Sequence, residues 1–172
     1  MAYLCVFDYS KSTMLRLREI KKEVIRVFSD SPDVALVDLF GSFARGTPNP
    51  SSDVDLLVFL NAGSKLSRHD IWRIWDEKTK DVSWSNQASL IIRKLNPPLE
   101  IETLLLDLPE EHVALHDPKG FFDDLKKAIL AWRTKNDSRR LVSFSGKPYW
   151  LYTTHPVKLE DIDFRLELRD VA

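Results

Sequence analysis

An α/β fold is predicted for this chain by three observations: two segments with apolar residues at helical spacing, three short apolar runs of strand length, and an alternation of the two kinds along the sequence. At 172 residues the chain is long enough for one real core, since a domain of roughly 150 residues buries about 68–70% of the surface its unfolded chain exposes. A main domain over residues 1–135 is expected, followed by a C-terminal extension over residues 136–172, a hairpin and an arm packed on the same domain.

The first helix is read from STMLRLREIKKEVIRVFSD, where Met14, Leu15, Leu17, Ile20, Val24, Ile25 and Phe28 keep close to helical spacing and Ser12 or Thr13 is available as N-cap. SPD breaks it. VALVDLF, residues 34–40, is short, apolar and partly β-branched, and reads as a strand that GSFARG turns. After the loop TPNPSS, DVDLLVFL (residues 53–60) is a second strand, apolar enough from Leu56 onward to be covered on both faces. SRHDIWRIWDEKTKDV predicts a helix capped by Ser67 with Ile71, Trp72, Ile74 and Trp75 toward the interior. SNQASLIIRKL is open between helix and strand. Past Pro97 and Pro98, LEIETLLLDL (residues 99–108) is expected as a third strand. DPKGFFDDLKKAILAWRTK carries Phe121, Leu125, Ile129 and Trp132 at helical spacing, the second clear helix. RRLVSFSGKPYWLYTT predicts two short strands about a turn at Gly146, and HPVKLEDIDFRLELRDVA a terminal arm.

Composition excludes several classes. Lys plus Arg number 25 against 26 for Asp plus Glu, a formal net charge of -1, so the chain lacks the overall basic footprint of a dedicated nucleic-acid binder. Cys5 is the one cysteine, which rules out an internal disulfide and any multi-cysteine zinc site and fits a reducing setting. No apolar run approaches the roughly 20 residues of a membrane span, and MAYLCVFDYSKS lacks the charged and apolar regions of a signal peptide. A soluble, cytoplasmic protein is expected.

The chemistry concentrates in LFGSFARGTPNPSSDVDLLVFL. On an extended strand Asp53 and Asp55 project from one face and Val54 from the other. Two neighbouring carboxylates repel unless a cation sits between them, and hard oxygen ligands suit Mg²⁺ or Mn²⁺, which keep waters and share substrate phosphates. Gly41 and Ser42 fit a phosphate-bearing partner: glycine admits close approach to the main chain, the serine hydroxyl donates, and the N–H groups of a turn at SFARG favour an anion. Arg45 is open between contacting phosphate and pairing with a carboxylate to hold the loop.

A bare pair of alternate aspartates means little. Asp161 and Asp163 form a second one with no Gly-Ser turn before it, and the ordinary reading of these is solvated surface. SGKP at Ser145 has Leu141 where a P-loop needs its first glycine and is a turn. His69, His112, His116 and His155 show no paired helical spacing and are read as surface or satisfied residues, and Trp72 and Trp75 as core. The basic pairs Lys126, Lys127 and Arg139, Arg140 are read as solvating a surface, with approach to an acidic partner as the alternative for the second.

GSFARG followed by SDVDLLV resembles the signature of the nucleotidyltransferase superfamily that includes DNA polymerase β and kanamycin nucleotidyltransferase, and most closely its minimal bacterial and archaeal members, some of which act as antitoxins. The resemblance implies a small mixed β-sheet flanked by helices, and Mg²⁺-dependent transfer of a nucleoside monophosphate, AMP from ATP, to a hydroxyl with release of pyrophosphate. It implies that Gly41 and Ser42 hold the triphosphate and that Asp53 and Asp55 bind metal. A third carboxylate is also implied, on a later strand. Glu100 and Glu102 share a face by alternation, and the family pattern fits IETLLL best with Glu102 as the acid that binds metal and helps deprotonate the attacking hydroxyl. The acceptor is expected to be a protein or a small molecule rather than nucleic acid, with a toxin partner or a second copy of the chain as the associations the resemblance suggests. The alternative is an antitoxin-like or regulatory module that keeps the nucleotide cleft without turnover; a metal-dependent phosphohydrolase ranks third.

Overall fold

The computed structural model describes residues 9–96, 103–146 and 148–152. In chain order these form α1 (Tyr9–Phe28), β1 (Val34–Phe40), the single turn α2 (Gly41–Ala44), β2 (Val54–Leu60), α3 (Arg68–Thr79), β3 (Ala88–Lys94), the short helices α4 (Thr103–Leu106) and α5 (Leu108–Glu111), β4 (Val113–His116), α6 (Phe121–Lys135), and strands β5 (Arg139–Val142) and β6 (Pro148–Leu151). They fall into two compact units, Met1–Lys94 with Glu111–Lys119, and Leu95–Glu110 with Gly120–Ala172.

The first unit is built on a mixed four-stranded sheet in the order β3-β2-β1-β4. β1 runs antiparallel to β2 and β4, while β3 is parallel to β2. A parallel neighbour needs a crossover connection, and α3 provides it. Val37 and Leu39 of β1 pair with Val58 and Leu56 of β2, and these side chains join Ile20, Val24 and Phe28 of α1 and Ile71 and Trp75 of α3 in one buried cluster. Phe28 and Trp75 stack with ring centroids 6.2 Å apart. Each large side chain contributes roughly 1.5–3 kcal/mol when fully buried, so this apolar face, more than helix propensity, holds α1 and α3 on the sheet. Ser67 caps α3 as expected, in a reciprocal capping box with Asp70. Alternation sends Asp38 and Phe40 of β1, with their partners Leu57 and Asp55 of β2, to the opposite face.

In the second unit α6 buries the stripe Phe121, Leu125, Ala128, Ile129 and Trp132. β5 and β6 form an antiparallel pair around the turn expected at Gly146. Its aromatics are anchored: Trp150 Nε1 donates to Asp107 Oδ1 at 2.9 Å, the Arg133 guanidinium lies 4.2 Å over the Trp150 ring, and Tyr152 meets the Trp132 ring edge-on at 5.9 Å. Arg133 also forks onto Glu110, both contacts 2.6 Å, and donates to the Leu106 carbonyl.

Two expectations change, and two points that the sequence left open are settled. The ambiguous segment 85–95 contains a strand, β3, not a helix. The strand expected over residues 99–108 is not one from Thr103 onward: that part forms α4 and opens α5, because Leu104, Leu105 and Leu106 favour a helix and a short apolar run has no distinguishing period. β4 was not anticipated, four residues being too few to show alternation. Finally, α1 begins at Tyr9, so Ser12 and Thr13 lie inside the helix rather than capping it; no Gly or Pro in residues 9–13 interrupts the chain there. The arm at 153–172, with Asp161, Asp163 and His155, lies outside the described residues. No described helix is long and apolar enough to cross a membrane.

Candidate functional site

β1 ends at Phe40, whose ladder partner is Asp55, so the chain turns away next to the aspartate strand. Gly41 makes that turn with φ +72°. A Cβ built there would strike the Asp55 carboxylate, with Asp55 Cγ at 3.2 Å, so the position admits glycine alone while Asp55 keeps its rotamer. α2 then closes on itself: Arg45 N donates to Gly41 O at 3.1 Å and Thr47 N to Ser42 O at 2.9 Å. The loop ahead of the aspartates is held by Asn49, whose Oδ1 accepts from the Ser51 amide at 2.9 Å and hydroxyl at 2.7 Å, while Asn49 N donates to Ser52 Oγ at 2.9 Å.

Asp53 is exposed at the entry to β2 and Asp55 is half-buried one residue inside it. Burial, reinforced by the charge of Asp53 and partly offset by Arg45, holds the Asp55 carboxyl above its ordinary value. The Arg45 guanidinium is engaged elsewhere, donating to Glu111 Oε2 at 2.9 Å. Neither aspartate forms an ion pair within hydrogen-bonding distance among the described residues, and the charge they concentrate suits a divalent cation. The structure therefore brings together Gly41, Ser42, Asp53 and Asp55, and places Arg45 on a carboxylate.

Glu100 and Glu102 lie outside the described residues. On β3 the residue in register with Asp55 is Ser89, and among the described residues no three acidic, histidine or cysteine side chains gather as a metal-binding group. One acid does share the face of Asp55 on β1. Asp38 is fully buried, and its Oδ2 lies 3.2 Å from Nδ1 of the equally buried His112; desolvation pushes the Asp38 carboxyl upward against the pull of that histidine. The His112 ring stacks on Phe40, centroids 5.4 Å apart. Sequence reasoning left His112 among ordinary residues and passed over Asp38 and Glu111. The available signal was the acid inside VALVDLF, a charge in a run otherwise apolar.

No curated protein matches the chain. Among solved structures it is similar to a toxin–antitoxin complex with AMP-PNP, at 17% identity over 67% of this chain and 87% of that one, TM-score 0.48. It is also similar to the tri-AMPylated Shewanella oneidensis HEPN toxin in complex with MNT antitoxin, at 14% identity over 69% and 87%, TM-score 0.45. A third is a Sulfolobus solfataricus protein assigned as a nucleotidyltransferase, at 19% identity over 69% and 96%, TM-score 0.42. The nucleotidyltransferase domain family matches residues 17–130, from within α1 through the Gly-Ser turn and both aspartates into α6. With well over half of its length inside that match, the chain belongs to the nucleotidyltransferase domain family and is an enzyme of that class.

Proposed function

We propose that the protein transfers AMP from ATP to a hydroxyl of a protein or small-molecule acceptor, releasing pyrophosphate, with Mg²⁺ or Mn²⁺ held by Asp53 and Asp55 and, as third carboxylate, Glu102. The observation that carries this reading is that the Asp55 carboxylate lies so close to Gly41 that a Cβ there would strike it, which sets a phosphate-admitting turn beside one of a pair of metal-seeking acids. A bound divalent cation supplies charge neutralisation for the phosphates and the developing oxyanions. Gly41 lets the triphosphate approach the main chain, and Ser42 offers a hydroxyl donor to a phosphate oxygen. The acceptor oxygen forms its bond to the α-phosphorus as the bond from that phosphorus to the β-phosphate oxygen breaks, and the hydroxyl proton passes to Glu102. No protein nucleophile is required.

The test is incubation with Mg²⁺ and ATP labelled in the α-phosphate, in the presence of extract from the source organism. Label should appear on a protein or small molecule, with stoichiometric pyrophosphate, and vanish in chelator. Ser89 beside Asp55, where an acid would complete a three-carboxylate site within the sheet, favours a second reading: a regulatory nucleotide-binding module. Metal-dependent ATP binding with no pyrophosphate from any acceptor would select that reading, and release of free AMP without transfer would select a hydrolase.

A further inference from the structure

Glu111 and His112 are consecutive residues where α5 ends and β4 is about to begin, and they reach opposite ends of the turn formed by residues 41–45. Glu111 Oε2 accepts from Arg45 Nη1 at 2.9 Å, at the C-terminal end of the turn. His112 lays its ring against Phe40, the residue before Gly41 and the ladder partner of Asp55. The imidazole is held in turn by Asp38, 3.2 Å away. Asp38 is 0% exposed, and its second oxygen, Oδ1, has no hydrogen-bond partner among the described residues. A buried acid left half satisfied costs stability that an apolar residue of similar size would not. What the pair provides is placement: it fixes where the imidazole sits on Phe40.

We propose that Glu111 and His112 are positioning residues that brace the nucleotide-binding turn at two points, His112 through Phe40 and Glu111 through Arg45, and so hold Gly41 and Ser42 in register with Asp55. This rests on the reading of residues 41–45 as the triphosphate site. It assigns Arg45 to the brace rather than to phosphate contact, because the Glu111 carboxylate holds its guanidinium through Nη1. Neither brace residue touches the reacting atoms; both act through the turn.

The experiment measures binding of the α,β-methylene analogue of ATP with Mg²⁺ to the full chain by calorimetry, with circular dichroism confirming that each variant is folded at the temperature used. Glu111→Gln and Arg45→Gln should each weaken binding by about 3–10-fold, the worth of one charge-assisted contact, and the double variant should be no weaker than either single one. His112→Gln, which keeps a polar contact but loses the ring, should weaken binding to a similar extent. The double variant Asp38→Leu with His112→Phe keeps a ring on Phe40 without the buried charge, and should return affinity to within about two-fold of the parent. Should His112→Gln fail to fold, Glu111→Gln, at the half-buried surface, still decides the matter. A larger loss in Arg45→Gln than in Glu111→Gln means that arginine touches phosphate itself and overturns the brace. Unchanged affinity in Glu111→Gln also overturns it while leaving the nucleotide reading intact, whereas a parent protein that does not bind the analogue overturns both.

Discussion

Gly41 and Gly46 share a backbone φ of +72°, but only at Gly41 would a Cβ meet another atom, the Asp55 carboxylate. The two positions therefore separate backbone strain from site geometry. Gly46→Ala should lose about 1–2 kcal/mol from the left-handed conformation alone. Gly41→Ala should lose more, because Asp55 must also move, and should abolish metal-dependent nucleotide binding. Denaturant midpoints and calorimetry on the two variants check this; equal losses with binding retained in both would detach the turn from the aspartates. Asp55 was singled out in the sequence by its spacing to Gly41 and Asp53, and the structure sets its carboxylate against that glycine. Its electrostatic state was not legible there, since that depends on burial at the mouth of β2. The folded-state value is raised, so the ionised carboxylate opposes folding at pH above that value, and the penalty fades as pH falls through it toward the unfolded one. The double variant Asp53→Asn, Asp55→Asn should accordingly melt at or above the parent temperature in chelator. Mg²⁺ with ATP should raise the parent's melting temperature, by about 2.7 kcal/mol of stabilisation at a hundredfold excess over Kd, and leave the variant nearly unmoved.

Among the elements, those with a long or clean period were readable: α6 from Phe121, Leu125, Ile129 and Trp132, and β1 and β2 from apolar runs bounded by turn residues. β3 was undecided because SLII can serve either state, and its placement beside β2, with Leu90 and Ile92 in the core, decided it. β4 escaped notice entirely, yet it carries a titratable group. Burial lowers the pKa of His116 below 6.5, with Asp117 opposing. A depressed value means stability that is present above the unfolded pKa and lost as pH falls through the folded one. The parent should therefore lose more stability than His116→Gln between about pH 7.5 and pH 5, read from denaturant midpoints at the two values. A parallel decline in both proteins would place the pH dependence elsewhere.

At the scale of the whole molecule, the contacts that build the site differ greatly in the length of chain they close. Phe40 and Asp55 are paired across one short connection, whereas Asp38 and His112 stand 74 residues apart in sequence. Loop-closure entropy grows as the logarithm of length, so the distant pair costs about 1.4 kcal/mol more to bring together. The turn and its aspartates form a local hairpin, which should form early in a chain still largely loose, while His112 should reach Phe40 only when β4 docks on β1. Substitutions in β1 or β2, such as Leu56→Ala, should slow refolding; Asp38→Asn and His112→Gln should chiefly hasten unfolding and leave the refolding rate nearly constant in stopped-flow measurements. A refolding rate depressed as strongly by His112→Gln as by Leu56→Ala would reverse that order. If it holds, a nascent chain carries the Gly41 turn and both acids before it carries the residues that steady them, so the protein passes through a stage in which the site has its parts but not yet its precision.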